Sequence, residues 1–174
     1  MAAKSLPKRK LTISQEDFTK LVKGFVEKGS TLKGMRGISD ETMEAVYGLA
    51  YNNYNNGKFD EASRLFGFLG GFDPYQSKYW IGLAAARQML KQYQGAIQAY
   101  SMAALMAEED PNPPLYAADC YMIMGKKELA EKALTAAVHW ASRKPEYASI
   151  KDRAESLLRL LREKAPEAKQ AATT

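Results

Sequence analysis

Several sets of positions in this chain recur at an interval of 34 residues. Ala62, Ala96 and Ala130 form one set, Ala50, Ala84 and Ala118 a second, and the large residues Phe66, Tyr100 and Leu134 a third. Gly57 and Gly125 bracket Lys91 at the same interval, Phe59 matches Tyr93, and Leu49 matches Leu83 with Ala117 as the third member. A period of this length spells one helix–turn–helix unit. Small residues fall where two helices approach closely, and large ones fill the space alongside. A single pair cannot bury its own apolar face, so the units must stack, and the stack curves.

Spacing within each unit predicts helices over 40–56 with 59–71, 75–91 with 93–107, and 113–124 with 127–142. Asp73-Pro74 and Asp110-Pro111 fall between units, which divides the repeats into 39–72, 73–110 and 111–144. Ahead of them, residues 1–13 read as a disordered basic tail, and Ser14-Gln15-Glu16-Asp17 as a capping box with Asp in place of Glu. Phe18, Leu21, Val22, Phe25 and Val26 follow at the spacing of an amphipathic helix that Gly29 stops, within a unit spanning 14–38. Residues 29–38 read as a loop, or at most a turn of helix, and Ser39 as the next N-cap. Beyond Pro145, the apolar face Ile150, Ala154, Leu157, Leu158 and Leu161 predicts a capping helix within 145–164 for the exposed end of the stack. Residues 165–174 are polar and Ala-rich and read as a flexible tail.

The composition excludes several function classes. Apolar runs fall far short of the ~20 residues that a membrane-spanning helix needs. Residues 1–10 lack the apolar stretch of a secretory signal. A cytosolic protein is the expectation. The single cysteine, Cys120, has no partner for an internal disulfide, and among apolar residues on a predicted helix it reads as a buried, inert thiol. The single histidine, His139, sits beside Trp140 and reads as a surface or packing residue. No residues have metal-ligand spacing, and there is no nucleophile–base pair or phosphate loop, so neither an enzyme nor a cofactor is expected. Four of the charges behind the net +5 lie in the first ten residues (Lys4, Lys8, Arg9, Lys10). A solvated tail explains them, with a nucleic-acid or membrane contact as the competing reading. No nucleic-acid-binding signature is present, and no membrane insertion is expected.

The order large, Leu, small, turn Gly, mid-helix Ala, aromatic, Pro resembles the tetratricopeptide repeat. The resemblance implies an all-α, right-handed superhelical stack of three helix hairpins, with an N-terminal amphipathic helix and a C-terminal capping helix. In such repeats the first helix of each pair lines the concave side. Tyr47, Tyr51 and Tyr54 lie at i, i+4 and i+7, on one face of the first helix. Adding 34 gives Ile81, Ala85 and Gln88, and adding it again gives Leu115, Asp119 and Met122, with Lys78 and Arg87 flanking. These are the candidate peptide-binding positions. The competing reading has the tyrosines packing against the N-terminal helix. Against it, Leu49 and Ala50 are expected to meet the core duties of that helix. Tyrosine also suits contact, having an apolar body and a polar tip.

A closer resemblance rests on Gly29-Ser30-Thr31-Leu32-Lys33, then Ile38-Ser39, then Tyr47-x-x-Ala50-Tyr51-x-x-Tyr54-x-x-Gly57-Lys58-Phe59-x-x-Ala62. It continues through Phe72-Asp73, Gly82-Leu83-Ala84-Ala85, Gln92-Tyr93-x-x-Ala96-Ile97-x-x-Tyr100 and Ala117-Ala118-Asp119-Cys120-Tyr121. Over roughly residues 15–162 the chain resembles the class II chaperones of type III secretion. The resemblance implies a chaperone in the bacterial cytosol that holds hydrophobic translocator proteins before export. An extended segment with spaced prolines and a leucine would lie in the concave groove. It also implies a homodimer built partly through the N-terminal helix, with Phe18, Leu21, Val22, Phe25 and Val26 as the dimerisation residues. The alternative is a generic repeat adaptor that captures C-terminal carboxylates. That mode needs Lys, Arg and Asn at inward positions, which here hold Tyr47, Tyr51, Ala85, Leu115 and Asp119.

Overall fold

A computed structural model of the protein describes residues 31–107 and 109–163. The expected basic tail, the capping box at Ser14, the helix carrying Phe18, Leu21, Val22, Phe25 and Val26, and the tail from 165 onward lie outside the described residues. The rest is helical, with no strand among the described residues. A single helical turn, α1 (Leu32–Met35), precedes three hairpins: α2 (Asp40–Asn55) with α3 (Phe59–Phe72), α4 (Ser77–Met89) with α5 (Tyr93–Met106), and α6 (Asn112–Ile123) with α7 (Lys127–Ala141). A short 3-10 turn (Pro145–Tyr147) leads into α8 (Ala148–Glu163). No described helix is long and apolar enough to cross a membrane.

The local signals act where the sequence puts them. Ser39 caps α2: its Oγ accepts from the Thr42 N–H at 3.2 Å, and Asp40 and Glu41 sit in the first turn, where the helix dipole favours negative charge. The turn inside each hairpin passes through a left-handed residue at the same repeat position, Gly57 (φ +73°), Lys91 (φ +60°) and Gly125 (φ +70°). Glycine adopts this conformation without penalty, and lysine does not.

Packing follows the 34-residue sets. Ala50, Ala84 and Ala118, and Ala62, Ala96 and Ala130, are all 0% exposed, as close helix approach demands. One core gathers Met43, Phe66, Leu69, Leu83, Ile97 and Tyr100, with Ala117 and Cys120 of α6. A second gathers Leu115 and Ala118 from the same helix with Leu134, Ala137, Ala154 and Leu158. Helix α6 is thus shared by both. The Trp80 indole donates to the Pro74 carbonyl at 2.7 Å and holds the corner between the first two hairpins. Leu49 corrects one expectation. It is 52% exposed, whereas its equivalent Leu83 is 3% exposed. Leu83 packs against the hairpin before it, and no described hairpin precedes α2.

Ion pairs join equivalent positions of successive first helices: Lys78 of α4 meets Glu44 of α2, and Arg153 of α8 meets Asp119 of α6. Each pair is 34 residues apart. Helix α8 therefore sits where the first helix of a fourth hairpin would, and it closes the stack against α6 and α7.

Candidate peptide groove

Between α2 and α4 lies an open hollow of about 300 Å³. Tyr47, Tyr51 and Tyr54 form one wall, Ile81, Gly82 and Ala85 the other, Phe66 the floor, and Lys78 one end. Five of these eight residues are inward positions expected from the repeat, and Lys78 is an expected flanking one. The rings brace one another: the Tyr47 and Tyr51 centroids are 6.4 Å apart in a stacked arrangement, and Tyr47 meets Phe66 edge-on at 5.8 Å. Tyr54 stands edge-on to Phe59 at 5.4 Å. Tyr51 is 55% exposed, while Tyr47 and Tyr54 are half-buried and Phe66 is buried. Within the described residues the tyrosines face a cavity and are not plugged by neighbouring side chains. Such a hollow offers apolar area with hydroxyls at its rim, the chemistry of a site for an extended peptide.

Lys78 does not turn this end into an anion site. Its ammonium lies 4.8 Å from the centroid of the Tyr47 ring and pairs with Glu44. The hydrogen bond to Glu44 raises its pKa, so it stays charged with its charge already matched. Its contribution is a cation–π brace on Tyr47. The flanking Arg87 is likewise engaged, donating to the Gly95 carbonyl at 3.2 Å.

The far end of the groove differs from the expectation. Gln88 accepts from the Tyr100 hydroxyl at 2.9 Å, and Asp119 is paired with Arg153 at 2.7 Å. Burial raises the Asp119 pKa above its ordinary value, with Arg153 pulling the other way. Met122 is half-buried on α6. Leu115 does not line the groove. It is 1% exposed and packs with Leu134, Ala154 and Leu158, because the end of the stack is closed over it by α8.

A tetratricopeptide-repeat profile matches residues 43–70 and 77–110. The chain is similar to the Low calcium response locus protein H of Yersinia pseudotuberculosis, 33% identical over 151 residues that cover 87% of this chain and 90% of that protein. It is similar in structure to PcrH of Pseudomonas aeruginosa solved with the chaperone-binding region of PopD. There the TM-score is 0.71 at 35% identity, covering 74% of this chain and 96% of that one. The Yersinia enterocolitica type III secretion translocator chaperone SycD, in an alternative dimer, gives a TM-score of 0.69 at 36% identity, covering 73% and 96%. The chain belongs to the translocator chaperones of type III secretion. The family and the stacked all-α repeat read from the sequence are both correct.

Two residues of this chaperone's hollow were missed by sequence reasoning, Phe66 and Gly82. Phe66 is the repeat's large core residue, and its ring serves the core and the hollow at once. The signal for Gly82 was available in the set 48, 82, 116, which reads Gly, Gly, Tyr and so puts glycine inside two predicted helices. Cys120 is buried, and burial pushes its thiol up to about 11, the opposite of a reactive cysteine. His139 is exposed on α7. No cluster able to hold a metal ion occurs among the described residues.

Proposed function

We propose that this chaperone binds an extended, proline-containing segment of a hydrophobic translocator of its own secretion apparatus. The segment lies in the concave groove, and the complex forms in the bacterial cytoplasm. Binding keeps the translocator soluble and prevents premature association before export. The observation that carries this reading is the open hollow walled by Tyr47, Tyr51 and Tyr54. PcrH was solved with a chaperone-binding region of PopD, which supports the same kind of ligand here. A proline-stiffened segment has less chain entropy to lose on binding than a floppy one, so a shallow groove suffices. The work is binding alone, with no catalysis and no cofactor.

We also propose a homodimer that uses the apolar face Phe18, Leu21, Val22, Phe25 and Val26. That spacing supports it, as does the dimeric SycD. The test of the function is co-expression with a hydrophobic translocator of the same secretion apparatus. A soluble complex that co-purifies is expected. A translocator equally insoluble with and without the chaperone would overturn the reading.

A further inference from the structure

The three hairpins meet at two joints that the repeat makes equivalent, one between the first and second and one between the second and third. On the outer side of the stack, away from the tyrosine wall, the two joints are packed differently. At the first, Trp80 of α4 is wedged against α3. A Cβ at Gly70 would lie 3.3 Å from three atoms of the indole, so the ring lies flush on the α3 backbone, and its N–H is held by the Pro74 carbonyl at 2.7 Å. Helices α3 and α5, on either side, share one core through Ala62, Phe66, Ala96 and Ile97.

At the second joint the counterpart of Trp80 is Pro114, and that of Gly70 is Ala104. The smaller proline leaves a hollow of about 300 Å³. Tyr100 and Ala104 of α5 stand on one side of it, Leu129 and Ala133 of α7 on the other, and Pro114 and Ala117 of α6 beneath. Helix α5 contributes to the first core alone and α7 to the second alone, so among the described residues neither core holds both. The polar links across this joint are exposed: Lys126 reaches Gln94 at 3.4 Å, and Arg143 pairs with Glu109. Exposed links of this kind stabilise little.

In a stack of repeats each joint is held by its own contacts, so its stiffness is set locally. Close-packed side chains resist displacement, and an unfilled space does not. We infer that the second joint is a hinge. The third hairpin and α8 rock on the contact between the Tyr100 and Tyr116 rings, whose centroids are 5.7 Å apart, into the outer hollow. As that hollow closes, the concave side between α4 and α6 widens. The first joint, wedged by Trp80, stays fixed and keeps the tyrosine wall in shape. The use of this widening to admit a translocator segment rests on the function proposed above; the hinge itself does not.

The test uses the full-length chaperone with spin labels on pairs of introduced cysteines. Positions 71, 105 and 139 are equivalent and exposed, and none lines the outer hollow. At Gly71 an added Cβ meets nothing within 4 Å, and the native Cys120 is buried and stays unlabelled. Double electron–electron resonance on the free protein is expected to give a 105–139 distance distribution broader than that of 71–105 by roughly twofold or more. Pro114→Trp with Ala104→Gly transplants the wedge and is expected to narrow the 105–139 distribution to the width of 71–105, with thermal unfolding as the check that this variant is folded. Equal widths in the unmutated protein would overturn the inference with no core substitution involved. A folded wedge variant as broad as the parent would overturn it as well. Neither measurement involves a translocator, so a protein that passes both and yet keeps no translocator soluble would leave the hinge in place and sink the proposed function.

Discussion

Tyr51→Ala separates binding from folding more cleanly than any other change in the groove. The ring is 55% exposed and touches the rest of the wall mainly through its stacking on Tyr47 at 6.4 Å. A tyrosine presents roughly 200 Å² of surface, so about 110 Å² of this one is free to be covered by a ligand. At about 25 cal/mol per Å² that area is worth about 2.7 kcal/mol in a complex, or close to a hundredfold in Kd. The alanine methyl retains a small share, which brings the expected loss to roughly thirty- to a hundredfold. In the free protein the same change removes an exposed ring, and its cost to folding stays below about 1 kcal/mol. Isothermal titration with the translocator segment measures the first quantity, and urea unfolding of the free chaperone the second. Tyr51→Phe, which keeps the apolar body, should bind within a few-fold of the parent. A Kd that changes less than about threefold on Tyr51→Ala, with folding unchanged, would show that the ring is not covered on binding, and the groove assignment would be wrong.

Three further outcomes follow from particular residues. Lys91→Gly should stabilise the chaperone by about 0.5–1 kcal/mol, because Lys91 holds φ +60° where Gly57 and Gly125 occupy the equivalent turns; thermal unfolding reads this as a rise of a few degrees. Asp119 has its pKa raised by burial, so the native state binds its proton more tightly than the unfolded chain, and the stability this gives at low pH is lost as pH rises through the folded pKa. Asp119→Asn should accordingly match the parent near pH 3 and be more stable at pH 7 by up to about 1 kcal/mol, since the Arg153 it leaves is 51% exposed at the side chain. Cys120, buried with its thiol pushed up to about 11, should resist iodoacetamide at pH 8 in the folded protein and react fully in guanidinium.

The period of 34 residues made the helices legible nearly to their ends: Asp40–Asn55 stands against the expected 40–56, and Asn112–Ile123 against 113–124. Periodicity reports which backbone positions are equivalent, and the buried alanines and the aromatic wall follow from that alone. It does not report what lies across from each position. Leu49 and Leu83 are equivalent, but only Leu83 has a described hairpin before it to cover it. Tyr47, Ile81 and Leu115 are equivalent as well, but α8 closes over Leu115 while Tyr47 and Ile81 line the open hollow. The Phe66 floor lies against α4 where a side chain at Gly82 would stand, and a search for functional groups passes over such a residue.

The most direct test of the groove is where a bound translocator touches the chaperone. A photo-crosslinking phenylalanine placed at Tyr51 is compared with one at Leu105, which is 69% exposed on a second helix of the repeat. With the translocator co-expressed, ultraviolet irradiation should give a crosslinked complex from position 51 and none from position 105. Crosslinking from 105 with none from 51 would contradict a ligand held in the tyrosine-walled groove.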